Sequence, residues 1–413
     1  MSRTLICAIQ IGTSRICAAA AWRDQIGNYE IVAIETEQSA GCVRRGCIVD
    51  VDATAAHIKS LVLKLSNRVK SEDCLGIEAA YVGINGISMH SRLHHPSIQL
   101  EDGRSVNSEN ITALRQQSLR MPIDGYDILG LEPMGYTLDD VDCLNPNGRT
   151  GSQLIAHHQI IVGQQRLRSG VRSAMEKAGV KLIGIIATPL SVAQILTPDE
   201  KQRGCVLIDL GHSLTTVSVY ANGVLQHLAT IPLGSNSVTM DIASKGLSME
   251  DAEKAKINQE ELDIVSQCRY EEIASNVMNQ IELSGCKDRL AAGCVLTGGA
   301  SLQRGLVSLL GERLCFNRIM ARGFSGICFG LSDRKPQFAA LTTMISYCTA
   351  DCEAKPAKVI TPVQATAAEN PVEEKKEQAS AVNENKSEEE QQSVRKPSGF
   401  GRFLKDLFSG IED

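Results

Sequence analysis

One arrangement of short strands around a glycine turn occurs twice in this sequence, about half a chain apart, and it limits the fold more than any other feature. Each copy begins with an apolar β-type run, turns at a glycine, continues as two further β-runs and ends in a helix. The first copy has runs at 5–11, 16–21 and 29–34 and a helix at 53–69; the second has runs at 205–209, 214–220 and 224–231 and a helix at 237–244. A repeated supersecondary unit of this kind predicts two similar α/β domains.

The length of 413 residues also requires more than one domain, since a single compact core does not grow to that size. We predict a first domain with its core at 1–87 and 159–188, and a second domain at 189–350 with a shortened outer subdomain at about 237–286. Residues 88–158 are more polar and irregular, which indicates a subdomain inserted into the first domain.

The composition changes abruptly near residue 350. Between 351 and 398 the sequence has no Leu, Met, Phe, Tyr or Trp, and Glu, Lys, Ala, Gln, Pro and Ser dominate. Such a segment buries too little apolar surface to offset its ordering entropy, which predicts a disordered linker. A surface helix near Glu388 is the alternative, and the prolines at 356, 362, 371 and 397 limit its length.

The residues after this linker, 399–413, have the spacing of an amphipathic helix. Their apolar side chains recur at helical spacing and form one face, which consists of Phe400, Phe403, Leu404, Leu407, Phe408 and Ile411. Arg402 and Lys405 lie off this face and can contact anionic lipid headgroups. We therefore predict a helix that binds a membrane surface; a groove on another protein is the alternative surface.

Charge, hydropathy and cysteine usage exclude several classes of protein. The net charge of −6 argues against a nucleic-acid binder, because such proteins gain affinity by neutralising phosphates. The fourteen cysteines include no C-x-x-C pair, and those in apolar runs, such as Cys7, Cys17, Cys205 and Cys294, favour free thiols in a reducing compartment. No stretch reaches the ~18 apolar residues of a transmembrane helix, and the N-terminus lacks a signal-peptide pattern, so we expect a cytoplasmic protein with peripheral membrane contact.

Two glycine turns could form a phosphate site. Gly12-Thr13-Ser14 and Gly211-His212-Ser213 each lie between two strands and aim backbone N–H groups at one point. If the turns face each other, they can hold a phosphate chain from both sides, and Asp209 ends the strand before the second turn. Each turn alone is more often only a turn.

Two further motifs could hold the rest of a nucleotide. A β-run ends in Gly298 and Gly299 before a helix predicted from about Leu302, so a flat ligand could approach the backbone there. Glu253 and Lys256 share one face of a helix and could reach a ribose. A structural glycine pair and a surface ion pair are the alternative interpretations.

Taken in order, these motifs resemble the actin, sugar-kinase and Hsp70 superfamily, and their details resemble the bacterial cell-division protein FtsA family. The stretch 9–14 is similar to that family's first phosphate motif, and 41–46 followed by Ile48-Val49-Asp50 to its glycine- and basic-rich loop. The stretch 232–243, the Ala-Glu-x-x-Lys run and 296–300 are similar to its middle region and adenosine motif. The resemblance covers most of residues 1–350, and the C-terminal helix matches as well.

The resemblance implies an actin-like, ribonuclease-H-like fold that binds ATP between its two domains. The residues that it places at the nucleotide are Gly12, Thr13, Ser14, Asp209, Gly211, Ser213, Gly234, Glu253, Lys256, Gly298 and Gly299. It implies a division adaptor that polymerises on the cytoplasmic face of the inner membrane at the division site, binds the C-terminal tail of FtsZ and recruits other division proteins. It implies no catalytic residue and at most a weak or vestigial ATPase.

Three departures from the family pattern modify these expectations. Gln10 stands where the family carries an acidic residue that orders magnesium-bound water, and a hard cation prefers carboxylate oxygen, so Mg²⁺ binding should weaken. His212, Ser213, Leu214 and Thr216 stand in place of glycines, a threonine and a second acid, so we expect hydrolysis to be vestigial or lost and ATP binding to be weakened or lost. The stretch 257–270 is short where the family has the strands that receive the FtsZ tail.

Other functions on the same fold are the alternatives: an active actin-like ATPase, a sugar kinase, or a pilus-assembly scaffold of the PilM type. A sugar kinase needs a catalytic carboxylate that Asp209 alone does not establish, and it has no use for a membrane helix. The PilM relative lacks the disordered tail and the terminal helix, so the tail is the feature that discriminates between these functions.

Overall fold

The computed structural model describes residues 3–71, 74–101, 104–325, 328–329 and 335–354. Within these ranges the strands are β1 (Thr4–Ile11), β2 (Arg15–Arg23), β3 (Tyr29–Gln38), β4 (Val43–Arg44), β5 (Cys47–Ile48), β6 (Ala79–Ile84), β7 (His90–His94), β8 (Ser97–Gln99), β9 (Tyr126–Leu138), β10 (Val141–Cys143), β11 (Gln153–Gln164), β12 (Lys181–Ala187), β13 (Cys205–Leu210), β14 (Thr215–Ala221), β15 (Val224–Ile231), β16 (Gly293–Thr297), β17 (Ile319–Ala321) and β18 (Cys328–Phe329).

The α-helices within the same ranges are α1 (Val51–Val69), α2 (Ser108–Leu119), α3 (Gln165–Ala178), α4 (Thr188–Val192), α5 (Pro198–Arg203), α6 (Ser235–Ala243), α7 (Met249–Ile257), α8 (Ile264–Leu283), α9 (Leu306–Leu314) and α10 (Ala339–Ile345). Short 3-10 turns occur at Ala193–Ile195, Lys287–Arg289, Gly299–Leu302 and Pro336–Phe338.

Two sheets repeat one connectivity. In the first sheet, with the order β12-β6-β1-β2-β3-β18, β1 is antiparallel to β2 and parallel to β6. In the second sheet, β13 is antiparallel to β14 and parallel to β16. The strands β12 and β17 extend the two arrangements in parallel at equivalent places. The predicted duplication and the α/β, two-domain, actin-like class are therefore confirmed, and we call the two parts the first half and the second half.

The inserted subdomain contains β7 to β11 and α2, and its sheet continues into the second half. The full order is β10-β9-β11-β7-β15-β14-β13-β16-β17, with β8 on the side of β11. The joint is the antiparallel pairing of His90 in β7 with Ala229 in β15, supported by a 2.8 Å hydrogen bond from Leu228 N to Ser91 Oγ. The subdomain boundary that we predicted at residue 158 falls inside β11, because that strand runs from the insertion into the first half.

Helix α1 illustrates how the sequence determines the local structure. Asp50 is its N-cap and accepts a 2.9 Å hydrogen bond from Ala53 N, which satisfies one of the free amides of the first turn. Ile58, Leu61 and Leu65 follow at helical spacing and are fully buried against the first sheet. The predicted helix at 53–69 therefore lies within α1, which begins two residues earlier.

The end of the described chain returns to the first half. Helix α10 is apolar, and its Leu341, Met344 and Ile345 are fully buried in the core around β1 and β2, although the sequence assigned 189–350 to the second domain. Cys352 is also buried and donates its backbone N–H to the Leu5 carbonyl at 2.8 Å. The predicted linker at 351–398 therefore starts at least four residues too early. The polar composition of the whole stretch gives no indication that Cys352 is buried.

The other predictions for the C-terminal region concern residues without a described structure. Residues 355–398 of the predicted linker and the whole predicted helix at 399–413, with its apolar and basic residues, lie outside the described ranges. Within the described ranges, no helix combines the length and the hydropathy needed to cross a membrane.

The cysteines of the apolar runs pack as small hydrophobic residues. Cys7, Cys17, Cys205 and Cys294 are buried, and all are free thiols. Burial raises the pKa of each of these thiols, so they are neutral in the folded protein. The expectation of structural, unpaired cysteines is confirmed for these four residues.

Candidate functional site

A cavity of about 650 Å³ lies between the two halves, and residues from both halves line it. Of the residues that the sequence predicts at a nucleotide, those on its wall are Gly12, Thr13, Ser14, Asp209, Gly211, Ser213, Glu253, Lys256, Gly298 and Gly299. Gly234 is not on the wall. It lies behind the second turn, where a Cβ atom on it would be 2.5 Å from the carbonyl oxygen of His212. The fold thus assembles the separate motifs around one space.

The two glycine turns have the same hydrogen bond. Gly12 N donates to the Arg15 carbonyl at 3.1 Å, and Gly211 N donates to the Leu214 carbonyl at 2.9 Å. A Cβ atom on Gly12 would lie 2.7 Å from the Arg15 carbonyl oxygen, so the first turn requires a glycine. The two halves therefore present equivalent turns to the cavity.

Direct hydrogen bonds join the turns across the cavity. Ser213 Oγ donates to Thr13 Oγ1 at 2.8 Å, and Gly46 N donates to the same Thr13 oxygen at 3.2 Å. Beside them, Asn85 Nδ2 donates to Thr216 Oγ1 at 2.7 Å. The hydroxyl groups of Thr13 and Ser213, two residues that the resemblance places at the nucleotide, are thus hydrogen-bonded to each other.

The glycine pair after β16 has two different environments. Gly298 has φ +88°, and a Cβ atom on it would lie 2.5 Å from both Asp209 Oδ1 and the Leu210 carbonyl oxygen. A Cβ atom on Gly299 would meet nothing within 4 Å, so this residue exposes open backbone to the cavity. The helix predicted from about Leu302 begins only at Leu306, because Gly299–Leu302 form a 3-10 turn.

Asp209 lies near the end of β13, two residues before Gly211 of the second turn. Burial raises the pKa of its carboxyl group to about 6, and no hydrogen bond or ion pair to it is found among the described residues. In the sheet it pairs with Thr216, where the family pattern has a second acid. The carboxyl group is therefore a buried acid without a charged or hydrogen-bonding partner among the described residues.

Glu253 and Lys256 form an ion pair with each other, as their spacing allows. Lys256 Nζ lies 2.7 Å from Glu253 Oε2, and the lysine side chain is 4% exposed. It also donates to Thr239 Oγ1 at 2.9 Å and to the Ser235 carbonyl at 3.3 Å. Burial raises the pKa of Glu253, but the hydrogen bonds from Lys256 and Thr239 outweigh it and the net shift is downward. Lys256 thus holds α7 on α6, and Glu253 remains the more accessible of the two.

We expect Asp209→Asn to stabilise the protein at pH 7.5. The folded pKa of about 6 exceeds the usual 3.8, so the stability that the neutral carboxyl contributes is complete below pH 3.8 and is lost as the pH rises through 6. Asparagine is neutral throughout. Thermal unfolding at pH 4.5, 6 and 7.5 should therefore show an advantage of the variant that grows with pH.

The control is Asp241→Asn, because Asp241 lies 2.6 Å from Arg269 Nε in an ion pair. This variant should lose stability at pH 7.5, the opposite sign. A difference between Asp209→Asn and the parent protein that stays constant from pH 4.5 to 7.5 would show that Asp209 has an ordinary pKa.

Several residues of the cavity wall are not among those that the sequence predicts. The most informative is Arg15, the first residue of β2, which lines the cavity together with Gln337. Side chains two residues apart on a strand share a face, so the sequence pattern could have placed Arg15 on the same face of β2 as Cys17, which also lines the cavity. Gln337 and Asn85 carry no local signal, because their place depends on how α10 and β6 pack.

The sequence of this chain is similar to those of one protein family. The family described as "Cell division protein FtsA" matches residues 206–372. The chain is 27% identical to "Cell division protein FtsA" of Porphyromonas gingivalis over 334 residues, which is 73% of this chain and 69% of that protein. It is 26% identical to the protein of the same name from Pseudomonas aeruginosa over 382 residues, 84% of this chain and 89% of that protein.

Solved structures resemble the fold at lower sequence identity. The "PilM-PilN type IV pilus biogenesis complex" matches with a TM-score of 0.59 and 17% identity over 82% of this chain and 97% of that chain. "Ethanolamine utilization protein EutJ" from Carboxydothermus hydrogenoformans matches with a TM-score of 0.50 and 14% identity, over 84% of this chain and 90% of that chain. Likeness at these identities shows the fold alone.

Proposed function

We propose that this chain, which is a divergent member of the FtsA family, is a cell-division adaptor that polymerises on the cytoplasmic membrane and anchors the FtsZ ring. The observation that carries the proposal is the sequence match to curated FtsA proteins along 73–84% of the chain. The match extends over both halves and the inserted subdomain, so it is not confined to a common nucleotide motif. The likeness to PilM is a likeness of fold, so the pilus-scaffold alternative has no separate support.

The cavity between the halves supports a nucleotide ligand. The turns at Gly12 and Gly211 bring backbone N–H groups from both sides, which suits a phosphate chain. Gly299 offers open backbone to a flat base, and Glu253 lies on the same wall for a ribose. ATP is therefore the cofactor that we propose, and bound ATP would replace the Thr13–Ser213 hydrogen bond with phosphate contacts.

The donor set fits a magnesium ion poorly. Gln10 supplies an amide at the first turn, and Asp209 supplies one carboxyl group whose pKa burial raises to about 6. Among the described residues, no group of three or more His, Cys, Asp or Glu side chains is placed to hold a metal. We therefore propose an adaptor with at most weak ATPase activity.

The outer part of the second half offers a surface for the FtsZ tail. Residues 258–263 join α7 to α8 without a strand, so helices form this surface. Met240 in α6, Leu247 in the loop that follows α6, and Met249 at the start of α7 are each about half exposed. An apolar peptide segment could bind them, and we propose this surface, within the helices around 241–280, as the docking place of the FtsZ C-terminal tail.

Membrane attachment is proposed for the C-terminal segment from its sequence pattern. Its six apolar side chains fall on one helical face, and two basic side chains flank that face. One such helix binds reversibly, but a filament that presents many copies binds far more tightly through effective concentration. Localisation at the inner membrane of the division site follows from this attachment and from FtsZ.

Co-sedimentation with liposomes tests the adaptor. The full chain should pellet with phosphatidylglycerol-containing liposomes and carry FtsZ filaments with it, because it binds both. A chain that ends at Ser398 should leave both proteins in solution. The assay is run with and without ATP, and a dependence on ATP would mean that the altered cavity still acts on assembly.

Two variants separate the apolar face from a simple change of charge. Leu407→Glu places a charge on the apolar face and should abolish pelleting, whereas Ser409→Glu adds the same charge to the polar face and should largely preserve it. If the full chain stays in solution with anionic liposomes, the membrane role is refuted. If it pellets but leaves FtsZ behind, the adaptor role fails while the membrane role stands.

A further inference from the structure

Arg15 lies on the same face of the first sheet as Gln10, which stands where the family carries an acidic residue. In the β1–β2 ladder Gln10 is opposite Cys17, and Arg15 is two residues from Cys17 on the same strand. Paired residues and residues two apart share a face of a sheet, so Gln10, Cys17 and Arg15 all face the cavity, and all three line it. A guanidinium group therefore accompanies the loss of a carboxylate at this wall.

The guanidinium group of Arg15 has no acidic partner among the described residues. Its Nη2 donates to the Gln337 carbonyl at 2.9 Å, and its central carbon lies 5.1 Å from the centre of the Phe338 ring. A guanidinium has five N–H donors, and a neutral carbonyl occupies only one. Most of its capacity to bind an anion is thus unused.

Among the basic side chains of the described cavity wall, Arg15 is the one available to bind an anion. Lys256 is paired with Glu253 at 2.7 Å and is buried in that contact. Burial lowers the pKa of His212, which keeps its imidazole neutral. Among the charged groups of the described wall, only Arg15 therefore offers a positive charge without a carboxylate beside it.

We propose that Arg15 supplies the positive charge for the phosphate groups of the bound nucleotide in place of a divalent metal, so that this chain binds nucleotide without Mg²⁺. The inference rests on the proposed nucleotide site. Arg15 borders the turn whose N–H groups face the phosphates, and a guanidinium fork matches phosphate oxygens in a bidentate way. The carbonyl of Gln337 and the ring of Phe338 hold the side chain at the cavity until phosphate arrives.

Calorimetric titration of the full chain with ATP and with ADP, in Mg²⁺ and in EDTA, tests the proposal. The parent protein should bind with similar affinity in both conditions. Arg15→Ala should weaken binding ~10–100-fold in EDTA, the range of a lost hydrogen bond to a charged group. Arg15→Lys should restore part of it as a point charge. Arg92→Ala removes the same charge from an exposed position on β7 of the inserted subdomain and should change nothing.

A Gln10→Glu variant and tripolyphosphate, an anion without a base or ribose, provide two further tests of the role of Arg15. Gln10→Glu places a carboxylate beside Arg15 and should weaken binding in EDTA. Tripolyphosphate without metal should raise the unfolding temperature of the parent protein but not that of Arg15→Ala, and the unfolding curve also shows that the variant is folded. Binding that disappears in EDTA, or that Arg15→Ala leaves unchanged, overturns the proposal. Tripolyphosphate binding without nucleotide binding overturns only the proposed ATP site, and the absence of both overturns both.

Discussion

Arg322→Ala should lower the free energy of unfolding by about 3–5 kcal/mol, the cost of leaving a buried charge without its partner. Glu200 is 4% exposed, and its two carboxylate oxygens accept hydrogen bonds from Arg322 at 2.9 and 2.7 Å. Arg322 also donates to the Ile195 carbonyl at 3.0 Å, in the segment that connects the two halves. The substitution therefore removes both hydrogen bonds from the guanidinium to the buried carboxylate, which keeps only the Thr197 N–H at 2.9 Å and the more distant Arg318. It also removes the donor to the Ile195 carbonyl. Urea unfolding measures the loss.

Arg318→Ala is the matched control for this ion pair. Arg318 approaches the same Glu200 oxygen at 3.7 Å, but its side chain is about half exposed. Its removal should cost less than about 1 kcal/mol, as for other exposed pairs. Equal losses in the two variants would show that Arg322 has no special role.

The acid limb of the stability curve gives a second measure of the same pair. Hydrogen bonds from Arg322 are the main reason that the pKa of Glu200 falls to about 2. The stability that this ionised carboxyl contributes is complete above pH 4.5 and is lost as the pH falls toward 2. The difference between the parent protein and Arg322→Ala should therefore shrink over that range.

Gly298→Ala should lower stability by at least about 2 kcal/mol and should abolish nucleotide binding. The backbone of Gly298, with φ +88° and ψ 170°, is in a region that only glycine adopts without strain. The added methyl group would also press on the carboxyl group of Asp209 and on the Leu210 carbonyl. Thermal unfolding and nucleotide titration of one preparation measure the two effects.

Gly299→Ala separates the backbone requirement from the binding surface. Its methyl group would meet no atom within 4 Å and would project into the cavity. Its stability should stay within about 0.5 kcal/mol of the parent protein, as for most substitutions without a buried contact. Nucleotide binding should nevertheless weaken, because the flat base would lose its approach to the backbone. A large stability loss in Gly299→Ala would show that a Cβ atom at this position clashes with its surroundings.

Local signals in the sequence predicted the framework of the fold well. The run at 5–11 lies within β1, the run at 224–231 coincides with β15, and both glycine turns lie between the strands that the sequence predicts. Alternating and buried apolar runs, glycine turns and helical spacing are properties of neighbouring residues, so a single sequence reveals them. The duplication followed from comparing these local patterns between the two parts of the chain.

Contacts between distant parts of the chain could not be predicted in this way. Nothing near α10 indicates that it packs beside β1, because an apolar helix can be buried in either half. The hydrogen bond between Thr13 and Ser213 depends on how the halves approach each other. Arg15 gave a local signal of its strand face, but its significance appears only with Gln337 and Phe338 beside it.

The pairing of β7 with β15 makes the inserted subdomain a second connection between the two halves. Its chain leaves the first half after β6 and returns to it at α3, yet its sheet is hydrogen-bonded to the second half at Ala229. The inserted subdomain is covalently attached to the first half and hydrogen-bonded to the second. It therefore limits how far the two halves can separate at the cavity. Wide opening would have to break the pairing of His90 with Ala229 and the hydrogen bonds beside it, from Leu228 N to Ser91 Oγ and from Gln159 Nε2 to the Gln226 carbonyl. Small rotations would bend the ten-stranded sheet without breaking it.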